Sequence, residues 1–235
     1  MYRVIGGYVY VANNPINLID PDGRKIVPRN MTPEQEKQFY DGVKNISKNS
    51  FLFKALYNYL ESSNTIHYIE IGYVDAGIKY ASAGVFREGD DIVTRFSNSN
   101  DFDRRSLMAE EFFHAYQLNL NLNNSNINME FEAKTFDILI SQDFYSSDKG
   151  ISKDYLNYFK INFKDEKQNG KFNKKMSEKL LNTFKSTDFL DFYNKEANKF
   201  SNYNEKNKYG TNEYMKENKG EPVNLQNFLE NVKNY

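Results

Sequence analysis

The order of the residues predicts an α+β fold, with a small β-sheet set before a central acidic helix and a mainly helical C-terminal part. Three observations predict it. Two capped or apolar helical patterns fill residues 32–62. The period then changes over residues 65–74 to a run rich in β-branched and aromatic residues. From Ser106 onward, apolar residues return at three- and four-residue spacings and dominate to the end of the chain.

Thr32-Pro33-Glu34-Gln35 supplies an N-cap, a proline at the first helical position and a Gln at the reciprocal capping position, so a helix is expected to about residue 47. A second helix is expected over 50–62, carrying Phe51, Leu52, Phe53, Leu56, Tyr57 and Leu60; this much apolar surface must pack on something. Thr65-Ile-His-Tyr-Ile-Glu-Ile-Gly-Tyr-Val74 is expected to be a strand. Two shorter strands follow, near 79–86 and 91–96, divided by the turn Arg87-Glu-Gly-Asp90. Ser106 is the expected cap of the central helix, an Asn-rich loop covers 119–128, and a further helix runs from about 128 to 142. Beyond it, helices are expected over 153–163, 174–184, 187–200 and 224–232, with 164–175 and 203–219 as solvated loops of biased Asn/Lys/Tyr composition.

Composition narrows the function classes. The 235 residues suffice for one main domain. A formal net charge of −1 gives no basic field for nucleic-acid phosphates or an anionic membrane, so neither is an expected partner. With no cysteine, thiolate nucleophiles and thiolate-bound zinc are excluded, and with only His67 and His114 as imidazoles a metal site must lean on carboxylates. No apolar run is long enough to span a membrane, and the first residues are too short and mixed for a signal peptide, so export would require a larger protein around this chain.

The chemistry concentrates in Met108-Ala-Glu-Glu-Phe-Phe-His-Ala-Tyr-Gln117. At about 100° per residue, Glu110, His114 and Gln117 share one side of a helix, and Ala109, Phe112, Phe113, Tyr116 and Leu120 share the other. The stretch resembles the active helix of zincin peptidases, written H-E-x-x-H, with Glu110 in place of the first His. The sequel Glu130-Phe-Glu132-Ala133-Lys134 resembles the E-x-x-A-D motif of the gluzincin branch, with Lys134 where that family has Asp. The resemblance implies a zincin-like fold in which a small sheet precedes an active-site helix and a glutamate helix. It implies Glu110, His114 and Glu130 as metal ligands, with Glu132 as the second choice for the third position, and Glu111 as general base. Gln117 and Asp137 are candidates for holding the ligands, because a ligating imidazole usually donates its other N–H to an acceptor. Two carboxylates and one imidazole make a harder, more anionic site than His₂Glu, so zinc is joined by manganese and iron as candidate ions. His67 alternates with Ile69 and Ile71 and is expected to be a satisfied core histidine rather than a ligand. The residues also leave open a helix whose acids merely favour its N-terminal dipole on a solvated face.

Residues 2–24 carry Tyr8-Val-Tyr10-Val-Ala-Asn13-Asn14-Pro15 and then Asp20-Pro21-Asp22-Gly23, a strand pattern closed by a strong turn signal. This stretch resembles the closing motif of the Rhs/YD-repeat core of polymorphic toxins. The resemblance implies a boundary: residues 1–24 are the end of the core, and 25–235 are a C-terminal effector domain, with 25–145 the zincin-like part and 146–235 a helical subregion. A single Asp-Pro-x-Gly motif does not transfer the self-cleavage of that family to Asp20 or Asp22. Two functions follow as expectations. One is a metallopeptidase-like toxin domain that cleaves a protein or peptide target and has a cognate immunity protein. The other is a catalytically inactive zincin-like interaction module on the same scaffold, needing no metal.

Overall fold

The computed structural model describes residues 25–74, 82–120, 129–141, 144–167, 174–206 and 221–232. The strand and turn expected within residues 1–24, the start of the strand near 79–86 and most of the Asn-rich loop lie outside the described residues.

The described chain is α+β and mainly helical. The first helix, α1 (Pro33–Asn49), starts with the reciprocal cap that its sequence predicts: the Gln35 N–H donates to Thr32 Oγ1 and the Thr32 N–H donates to Gln35 Oε1. Gly42 on its buried side sits against the carbonyl of Phe102, where a Cβ would stand 2.4 Å from the oxygen, so α1 can lie this close only with glycine there. Ser50 ends α1 and caps α2 (Phe51–Glu61), its hydroxyl accepting from the Phe53 N–H.

Among the described residues, four strands form one sheet: β1 (Ile26–Pro28), β2 (His67–Ile71), β3 (Ala83–Glu88) and β4 (Asp91–Phe96), in the order β1-β2-β4-β3. β2 runs parallel to both β1 and β4, and β3 pairs antiparallel with β4. Glu88 and Asp91 face each other across the two-residue turn Gly89-Asp90, in which Gly89 takes a φ of +64° that suits glycine. β2 is shorter than the expected 65–74, because its ladder with β4 ends at the Ile71–Phe96 pair. β1 was not legible in the sequence: three residues ending in Pro28 carry no alternation, and the proline fits only because β1 is an edge strand.

The helices after the sheet are α3 (Arg105–Leu120), α4 (Met129–Ile140), α5 (Lys153–Lys167), α6 (Lys174–Phe184), α7 (Thr187–Lys206) and α8 (Val223–Val232). α3 begins one residue before Ser106, which therefore is not its cap; the Ser106 hydroxyl instead donates to Asp137 Oδ2 at 2.6 Å and ties α3 to α4. One continuous apolar cluster runs from Ile26 through all four of the last helices to Val232, so the C-terminal helices share the core of the sheet-bearing part.

Two buried polar groups on β2 behave differently. Glu70 is clamped by Arg29, whose Nε donates to Oε1 at 2.5 Å, and by Arg95, whose Nη2 lies 2.9 Å from Oε2; Arg29 also reaches Glu88 at 2.7 Å. His67 is the expected core histidine, 1% exposed, but it is satisfied only at Nε2, 3.0 Å from Ser63 Oγ; Nδ1 has no partner among the described residues. Burial, helped by the Arg87 charge, pushes its pKa down to about 4. The folded value lies below the unfolded one, so the unfolded chain takes up the proton first and stability falls as pH drops from about 6.5 to 4, by up to about 3 kcal/mol. Chemical denaturation at pH 7 and pH 4.5 is expected to show a smaller acid loss in His67→Gln than in the wild type; an equal loss in both would contradict it.

Candidate metal centre

α3 is the hub of the fold. Phe112 contacts the rings of Phe39, Phe53 and Tyr57 on α1 and α2, with centroids 6.3, 5.7 and 6.1 Å away. Phe113 stacks on Phe136 of α4 at 4.7 Å, and Tyr116 meets Tyr59 of α2 at 4.9 Å and Phe228 of α8 at 5.6 Å. Glu111 and Gln117 are buried with them. A helix with acids on a freely solvated face is thereby overturned: α4 packs along α3, and its own burial extends almost all round.

Between the two helices, Glu110 and His114 from α3 and Glu130 from α4 each offer one ligand atom, all within 4.8 Å of one another, and each residue is half-buried. His114 Nε2 stands 3.6 Å from Glu130 Oε2. Bonds of about 2.1 Å at tetrahedral angles put ligand atoms about 3.4 Å apart, so this pair already has the spacing that a small divalent cation needs. The donor set, two carboxylates and one imidazole, suits zinc, manganese or iron. The three residues marked by the motif resemblance are the ones brought together.

Gln117 decides how the imidazole is presented. Its Nε2 donates to the Met129 carbonyl at 3.0 Å and lies 3.4 Å from Glu132 Oε2, so its Oε1 is left to face His114 Nδ1 at 2.8 Å. An acceptor at that position requires the proton on Nδ1, and in the neutral ring this leaves the Nε2 lone pair directed at the carboxylates. Asp137 has no part in this contact, being engaged by Ser106 instead. Glu132 also stands apart from the group: it is fully buried and accepts from the Asn224 N–H at the start of α8, at 3.4 Å. Burial pushes its pKa up to about 8.

The charges at the centre are interdependent. Burial alone would lower the His114 pKa, but the Glu130 carboxylate, with Glu111 and Glu110, lifts it to about 9. Burial would raise Glu130, and the positive charge of a protonated His114 brings it below the usual carboxylate value. Glu111 is raised, first by burial and then by Glu110 and Glu130, against the opposing charge of His114. Asp137 is pushed up to about 6 by burial, with Ser106 opposing.

The sequence pattern did not foresee how Lys134 is used. Its Nζ bonds Glu110 Oε2 at 2.6 Å and lies 3.6 Å from Asp148 Oδ2. The signal was present in part: Lys134 is one turn beyond Glu130, which sets it on the face of α4 turned to the ligands. Asp148, from the turn before α5, carried no motif.

Compared with family models, curated protein sequences and solved structures, the chain matches none.

Proposed function

We propose that the chain from about Lys25 is a metal-dependent hydrolase of peptidase type, the C-terminal effector domain of an Rhs-type polymorphic toxin. One observation carries the catalytic part: Glu110, His114 and Glu130, distant in sequence and marked by a zincin-like pattern, converge within 4.8 Å. The effector part rests on the Rhs-like residues 2–24. In this reading the zincin resemblance extends to the fold, the target is a protein or peptide, a cognate immunity protein accompanies it, and delivery belongs to the larger protein.

Glu110, His114 and Glu130 would hold a divalent cation, which would supply Lewis acidity and make a bound water more acidic. Glu111 would take a proton from the attacking water and pass it to the leaving amine; it is buried next to Glu110, off the line of the three ligands, and the burial that raises its pKa favours the return of the proton. Gln117 keeps the imidazole in one tautomer throughout. The alternative, an inactive module that binds a target on the same scaffold, draws on one observation: Lys134 is bound to a ligand carboxylate.

Metal analysis and turnover of protein substrates by the purified chain test the proposal. The enzyme reading expects about one equivalent of a transition metal. It also expects Glu111→Gln to keep the metal while losing about 100-fold or more in turnover. Turnover that survives Glu111→Gln removes the base role, and a wild type without metal or turnover leaves the binding module.

A further inference from the structure

We propose that Lys134 is the built-in counter-cation of this centre: by neutralising Glu110 it sets how tightly the three ligands hold a divalent ion. The proposal rests on the metal-centre reading and adds a residue outside the ligand set. Glu110, Glu130 and a neutral His114 together carry a charge of −2. The ammonium of Lys134, 2.6 Å from Glu110 Oε2, brings the local sum to −1, the charge that one carboxylate and two imidazoles would have. Glu110 and Lys134 are thus one electrostatic arrangement, with the two residues in direct contact.

The geometry gives the lysine two opposed effects. A carboxylate has two oxygens, and Lys134 engages Oε2, which fixes the side chain and leaves Oε1 for an ion. The same positive charge also repels a cation placed between Glu110, His114 and Glu130 in a half-buried site, where screening by water is reduced. Asp148 Oδ2, 3.6 Å from the ammonium, offsets part of its charge and moderates that repulsion. A salt bridge whose only role was to join α3 to α4 would have no influence on ion affinity beyond its effect on folding.

Zinc and manganese titrations of the full chain by competition with a chromophoric chelator test the proposal, with circular dichroism confirming the fold of each variant. Lys134→Met, and Lys134→Gln as a second charge-free side chain, are expected to bind both ions at least about tenfold more tightly than the wild type. Lys134→Arg, which keeps the charge, is expected to stay within about threefold of it. Binding by the charge-free variants alone, with none by the wild type, supports the proposal in its strongest form. Equal or weaker binding by the folded charge-free variants, beside a wild type that binds, overturns the role of Lys134 and leaves the metal centre standing. No binding by any of them overturns both.

Discussion

Replacing His114 by alanine is expected to lower zinc or manganese affinity by about a hundredfold or more, while the protein stays folded. The imidazole is the one nitrogen donor of the group, and its Nε2 stands 3.6 Å from Glu130 Oε2. Its loss leaves two carboxylates, one of them already engaged by Lys134. The graded companion is Gln117→Leu, which keeps all three ligands but removes the acceptor that holds Nδ1 at 2.8 Å; loss of such a contact costs about 10- to 100-fold in metal affinity. Isothermal titration calorimetry of the three proteins reads both steps. An imidazole that merely filled space would leave the affinities alike.

The largest loss of stability is expected from Phe113→Ala. The ring is fully buried, stacks on Phe136 of α4 at 4.7 Å and meets Phe228 of α8 at 6.2 Å, so it joins three helices at once. Truncating a buried phenylalanine costs about 3–5 kcal/mol, because transfer energy is lost and the cavity closes only in part. Denaturant unfolding should show the loss as a lower midpoint with an unchanged slope. A cost under about 1 kcal/mol would mean that α3 and α4 are not locked by this pair, and the shape of the candidate metal centre between them would have another origin.

Much of this architecture is written locally. Thr32 and Gln35 announce the start of α1 because a cap is a contact between near neighbours, and Gly89 announces the β3–β4 turn because only the backbone there requires it. The candidate ligand set is legible for a similar reason: Glu110 and His114 are one turn apart, and Glu130 lies on the next helix with a recognisable spacing to Ala133. What the sequence hides is pairing over distance. Nothing in Ile26-Val27-Pro28 foretells that it will extend the sheet beside β2, since that ladder depends on a partner some forty residues on. Ser106 looked like a cap and proved to be a tie to Asp137, because Arg105 had already entered the helix. Lys134 looked like a departure from a motif and is the partner of Glu110; Glu132 looked like a spare ligand and is held by the N-terminus of α8, more than ninety residues later in the chain. In each case the deciding contact is tertiary, and a local pattern carries no information about it.

Whether Glu110, His114 and Glu130 hold an ion is read most directly from a crystal of this chain soaked in zinc or manganese and measured at the absorption edge of the metal. One anomalous peak is expected between α3 and α4, within bonding distance of a Glu110 oxygen, His114 Nε2 and a Glu130 oxygen, with Gln117 still on Nδ1. A peak elsewhere, or a saturated soak with no peak and Lys134 unmoved on Glu110, would contradict it.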